Sequence, residues 1–151
     1  MIDSPNEAVW HVLGDFGSEH RWTRSVSRCT RDTKEVRVGT VRTCELPRSL
    51  MGRSHVRESL TEFEAGRALA YQLEGPAGPF AVASSRWSSK ATSSHSTAVT
   101  VEGKFEPKNS AVRILLWPLV RPMLKRLTGR ILRELEEFVV LGAEARPTES
   151  P

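Results

Sequence analysis

Three side chains in the middle of the chain have the types that proton chemistry on a carbonyl or hydroxyl needs: Arg42, Glu58 and Tyr71. A guanidinium is a permanent donor fork, a carboxylate holds or takes a proton, and a phenol gives one to an enolising carbonyl. Each sits where apolar and polar residues alternate, in step with neighbours that share its face: Val38, Thr40, Arg42 and Cys44; Val56, Glu58 and Leu60; Leu69, Tyr71 and Leu73. On neighbouring strands, Arg42 and Glu58 either satisfy each other as a buried pair or present a donor fork and a carboxylate to a ligand. Tyr71, the only tyrosine, either donates a proton or packs with its hydroxyl on a backbone carbonyl.

Other chemistries lack their residues. His11, His20, His55 and His95 show no metal-ligand spacing, and there is no nucleophile elbow, phosphate loop or dinucleotide fingerprint, so neither a metal nor a cofactor is expected. Cys29 and Cys44 fall on adjacent candidate strands. Two cysteines make no disulfide framework, and the opening residues carry no secretory pattern, so free thiols in a reducing cytoplasm are expected. The net charge of +4 is modest, and nucleic acid is not expected as a partner. Residues 112–141 hold six cations against three anions, which puts most of the excess on the last element. That face is either solvated or in peripheral contact with an anionic membrane, with Trp117 among apolar neighbours as the side chain to insert.

The elements that must position these residues follow from periodicity. At 151 residues, 38% hydrophobic and 26% charged, the chain predicts one domain over 1–142 and a polar tail over 143–151. Ser4, Pro5 and Glu7 form a helix-start signature with Ser4 as cap, for a short helix from Pro5 to Gly14. Six strands are expected at 25–31, 38–46, 54–63, 68–74, 80–91 and 97–106, an antiparallel meander punctuated by turn residues. In the fifth, Phe80 and Val82 fall out of step with Trp87, which a bulge would reconcile. Leu116, Val120, Met123, Leu127, Ile131, Leu135 and Phe138 recur at three and four. With Pro118 and Pro122 ahead of it, this stripe predicts a turn at 111–117 and a long helix from Pro122 to Leu141, ended by Gly142.

The ordered motifs Ser4-Pro5-Asn6-Glu7-Ala8-Val9-Trp10, Trp22, Val38-Gly39-Thr40-Val41-Arg42, Arg57-Glu58, Leu69-Ala70-Tyr71, Gly78-Pro79 and Phe105-Glu106-Pro107 span nearly the whole chain. This layout resembles the START-like (SRPBCC) superfamily, which includes the major birch pollen allergen, and within it the polyketide cyclase/dehydrase branch. The resemblance implies an α+β helix-grip fold, a curved antiparallel sheet wrapped around a long C-terminal helix. Such folds normally begin with a strand ahead of the first helix. Here only Met1 to Ser4 remain, so the first strand is missing or truncated, and an open seam would invite a second copy or another chain to pair at the unpaired edges.

The resemblance also implies an internal cavity for a hydrophobic or aromatic small molecule. Its expected lining is Trp22, Leu69, Leu73, Trp87, Val99, Val101 and Phe105 from the strand side and Met123, Leu127 and Ile131 from the helix, around Tyr71, Arg42 and Glu58 as the catalytic set. The implied activity is cofactor-independent cyclisation, aromatisation or dehydration. The alternatives are a non-catalytic lipid or quinone carrier and a protein-interaction module working through open sheet edges.

Overall fold

The computed structural model describes residues 1–50, 53–75 and 80–144. The break expected at 47–52 starts too early, since a strand continues through Pro47 to Leu50; residues 51–52, residues 76–79 of the break expected at 75–79, and the tail from 145 onward lie outside the described residues. Helix α1 (Asn6–Leu13) and a single tight turn at Glu19–Arg21 precede six strands, β1 (Arg28–Arg31), β2 (Val41–Leu50), β3 (Arg53–Glu64), β4 (Ala68–Leu73), β5 (Phe80–Ala91) and β6 (Thr97–Pro107). Helices α2 (Ser110–Leu115) and α3 (Trp117–Glu144) follow. The strands form one antiparallel sheet in chain order, curved around α3 as in helix-grip proteins.

Two bulges place side chains that strict alternation would misplace. One lies between Leu60 and Glu62, so that Leu60 and Phe63, three apart, both join the core. The other lies between Phe80 and Val82, where the sequence predicts it, and puts Phe80, Ala83 and Trp87 on the buried face. An extra residue in one strand deepens the local twist and bends the sheet toward its concave side.

The N-terminus departs from the cap reading. Pro5 stands at the cap position with no side-chain bond to the helix. Ser4 instead turns its carbonyl to the Thr97 hydroxyl, which donates at 2.8 Å, and its own Oγ is buried without a partner among the described residues. Ile2 exchanges two backbone hydrogen bonds with Thr97, at 2.8 and 2.9 Å, so the expected first strand survives as one bridge on β6.

Strand β1 starts three residues later than expected, because residues 23–25 are bonded to α3 instead. The Thr23 hydroxyl and the Arg24 N–H (3.1 Å) both donate to Glu134 Oε2, and Arg130 donates to the Ser25 hydroxyl at 3.3 Å. Gly39, at φ +91°, turns the chain into β2 in a conformation that suits glycine. Val38 is left outside the strand and 59% exposed, which corrects its inward placement.

Helix α3 begins at Trp117, five residues earlier than expected, and passes through Gly142 to Glu144. Pro118 falls in the first turn, where no intrahelical N–H is needed. Pro122 costs one backbone bond but stands on the solvent side, where its ring meets no packed neighbour. Val120, Leu127, Ile131 and Leu135 of the predicted stripe turn inward, but at three turns the inward residue is the next one along. Trp117, Leu124 and Val139 turn in, while Leu116, Met123 and Phe138 remain exposed. Each of these turns offers two adjacent apolar residues, and spacing alone does not choose between them.

Candidate functional site

Between the sheet and the N-terminal half of α3 lies a cavity of about 620 Å³. Sheet side chains Val56, Leu73, Ala83, Trp87, Val101 and Phe105 line one wall, and Leu124, Leu127, Thr128 and Ile131 of α3 line the other. The segment from Trp22 to Val26 forms a side wall, fastened to the helix by Glu134. At one end Phe80, Phe105 and Trp117 pack at centroid distances of 5.4 to 6.4 Å, with Trp117 directed inward, which corrects its reading as a membrane-inserting side chain. Trp22 and Trp87 meet edge to face at 6.4 Å beside the cavity.

The polar part of the wall is built around Arg42. The strand register sets Arg42 opposite Glu58, and Arg42 Nε donates to Glu58 Oε2 at 2.6 Å. A second carboxylate, Glu19, pairs with another guanidinium nitrogen and also accepts the Gly17 N–H at 3.0 Å. The guanidinium also meets two neighbouring rings, with its carbon 4.1 Å from the centre of Phe16 and 4.4 Å from that of Tyr71. Arg42 is 4% exposed, and its charge is met by two carboxylates and two neighbouring rings. Of the two accounts open for Arg42 and Glu58, this geometry matches mutual satisfaction, with Glu19 and Phe16 completing it.

Tyr71 is placed differently. Its ring is held by Arg42 on one side and Phe16 at 5.8 Å, and its hydroxyl accepts a hydrogen bond from Trp87 Nε1 at 3.4 Å. Burial pushes the phenol pKa above its ordinary value, the Glu58 charge adds to the rise, and Arg42 opposes it. The group therefore stays protonated at neutral pH and is available as a donor, with Ser85 opposite it on β5.

Of the expected lining residues, Trp22, Leu73, Trp87, Val101, Phe105, Leu127 and Ile131 border the cavity, as do Arg42, Glu58 and Tyr71. Leu69 and Val99 do not: they belong to the solid core under α1, with Leu69 at 2% exposure. Met123 is 43% exposed on the outer side of α3. Sequence reasoning missed Glu19 and Phe16, which come from the turn region between α1 and β1, where alternation gives no face. It also missed Leu124, hidden behind Met123.

Cys29 and Cys44 are directly opposite in the β1–β2 register and form a disulfide, which corrects the free-thiol expectation. Glu19 and the two sulfurs lie within 4.8 Å of one another. With the sulfurs joined and Glu19 on Arg42, that trio offers no free ligand set for a metal.

A curved sheet gripping a helix over an apolar cavity with a small polar cluster defines the class of helix-grip ligand-binding proteins. The chain belongs to the family described as polyketide cyclase/dehydrase and lipid transport, whose model matches residues 1–139. No curated protein matches it in sequence. Among solved structures, it is similar to the di-domain ARO/CYC StfQ from the steffimycin biosynthetic pathway (TM-score 0.76, 14% identity, 96% of this chain and 50% of that one). A START superfamily protein from Mycobacterium smegmatis aligns with TM-score 0.74 and 15% identity over 93% of this chain and 92% of that one. The protein XoxI from Bacillus cereus aligns with TM-score 0.70 and 22% identity over 92% and 90%. At these identities the likeness concerns the fold.

Proposed function

We propose that the protein binds a hydrophobic or aromatic small molecule in the cavity and acts on it as a cofactor-independent cyclase, aromatase or dehydratase, with Tyr71 as proton donor. The observation that carries the reading is a cavity of about 620 Å³, within the range of small-molecule sites, whose largely apolar wall includes the Tyr71 phenol along with smaller hydroxyls such as Ser84, Ser85 and Thr128. Apolar walls hold the guest by excluding water and fix which conformer of a flexible chain is held. Tyr71 then delivers its proton to a carbonyl oxygen as that carbonyl enolises, the α-proton passing to solvent water, from which the phenolate regains its proton. Arg42 and Glu58 act as positioning residues, because the guanidinium that stacks on Tyr71 is already committed to two carboxylates.

The second reading, a lipid or quinone carrier, uses the same walls without the proton. The two separate on Tyr71→Phe. Native mass spectrometry of freshly purified protein is expected to show a bound apolar compound in both wild type and Tyr71→Phe. With a linear poly-β-ketone mimic, the cyclase reading expects turnover that Tyr71→Phe abolishes. Binding without turnover supports carriage, and a protein that neither retains nor takes up any apolar probe overturns both.

A further inference from the structure

The outer side of α2 and of the first turns of α3 carries Ile114, Leu115, Leu119 and Met123 at 67, 70, 71 and 43% exposure. These are large apolar side chains within ten residues of sequence, none of them part of a core cluster. The same segment is cationic throughout: from Pro107 to Arg133 the sequence contains no acidic residue. Lys108, Arg113, Arg121, Lys125 and Arg126 are all exposed, and none has an anionic partner among the described residues. Elsewhere on the surface Arg31, Arg57, Arg86 and Lys104 each have one while Arg21, Arg24, Arg28, Lys34, Arg37 and Lys90 do not, so what sets this segment apart is its lack of acidic residues beside exposed apolar ones.

We propose that this surface docks on an anionic lipid bilayer, with Ile114, Leu115, Leu119 and Met123 entering the headgroup boundary and the surrounding cations facing lipid phosphates and carboxylates. Charge complementarity selects this occupant. Exposed apolar residues on a cationic segment, with Arg126 on the flank of Leu119 and Met123 and with Arg121 and Lys125 on the other flank of the helix, have the pattern of an interfacial helix, whose two contributions, apolar insertion and attraction to anionic lipid, act together. A second copy of the chain would bring the same unpaired cations against themselves, which like-charge repulsion opposes. The surface also adjoins the cavity. On the same helical turns Trp117 and Val120 pack inward on Phe80 and Phe105, and Leu124 and Leu127 line the cavity. Docking through this face therefore brings the cavity end marked by the aromatic cluster against the lipid. The inference concerns the outer face only and stands whether or not the guest is processed.

The test is co-sedimentation of the purified chain with vesicles of phosphatidylcholine alone and of phosphatidylcholine containing phosphatidylserine. Wild type is expected to bind the anionic vesicles, to leave the neutral ones largely in the supernatant, and to release on raising salt. Two double variants, Ile114→Ser/Leu119→Ser and Arg121→Glu/Lys125→Glu, change only exposed side chains, and circular dichroism should show each folded. Each is expected to weaken partitioning by at least about tenfold. Equal binding by wild type and both folded variants overturns the proposal. So does a failure of wild type to bind, whether the face then proves to hold a second copy, by sedimentation equilibrium, or an RNA, by gel shift.

Discussion

The two halves of α3 carry the same three-and-four apolar spacing and do different work. In the C-terminal half, Leu135 and Val139 are buried against Val9, Leu13, Phe16 and Leu60, with α1 closing the layer. In the N-terminal half, Leu124, Leu127 and Ile131 face a void and are only partly covered. One half behaves as an ordinary core and the other as a wall. What separates them is the cover on the sheet's concave face: α1 lies over one end, and the other has only the segment 22–26 at its side. The Arg42 cluster sits at the boundary, with Phe16 from the closed side and the cavity on the other.

The largest expected effect tests that boundary. Arg42→Met leaves the Glu19 and Glu58 carboxylates in a mostly buried site without their cation, which should cost about 3–5 kcal/mol in denaturant unfolding. Adding Glu58→Leu should recover part of the loss, whereas no loss in the single variant would show the cluster to be solvated. Next, Leu135→Ala should cost about 2–5 kcal/mol, as for a fully buried leucine. Leu127→Ala should cost less than about 1 kcal/mol while changing ligand affinity, because its side chain already borders empty space. Equal costs at the two leucines would erase the contrast between the halves.

The disulfide should matter less to packing and more to the unfolded chain. It joins residues 15 apart, and opening it should lower stability by about 3 kcal/mol, seen as a drop in denaturation midpoint on adding reductant. An unchanged midpoint would show that β1 is held by its ladder and by His20, which accepts the Cys29 N–H. The smallest effect is a pH dependence. Burial raises the Tyr71 pKa above its ordinary value of 10.0, so folding favours the neutral phenol. That contribution is complete below the unfolded pKa and is lost as pH rises through the folded one. Alkaline unfolding should therefore steepen above about pH 10 in wild type and flatten in Tyr71→Phe, and parallel profiles would place the hydroxyl in water.

Much of this architecture was legible in the residues. Alternation and turn chemistry locate all six strands, and the conflict of Phe80 and Val82 with Trp87 marks the β5 bulge. The pairing of Arg42 with Glu58 follows from neighbouring strands of matching phase. Other features are not encoded locally. Cys29 and Cys44 can bond only because the β1–β2 register sets them opposite each other, and register is a property of two strands together. Glu19 and Phe16 reach Arg42 through an irregular turn with no period to read. Leu124 rather than Met123 faces the cavity although Val120, Leu127, Ile131 and Leu135 keep the face their spacing predicts, because spacing leaves open which of two adjacent apolar residues turns in.

Glu134 has a consequence for time as well as place. One carboxylate on α3 holds both Thr23 and Arg24, and with them the side wall of the cavity. On the proposed reading, a guest would leave by release of this segment from Glu134 and from Arg130, which holds Ser25, without any strand separating. Residence and tightness of binding would then be under separate control, the first by polar side chains of the helix and the second by the hydrocarbon around the guest.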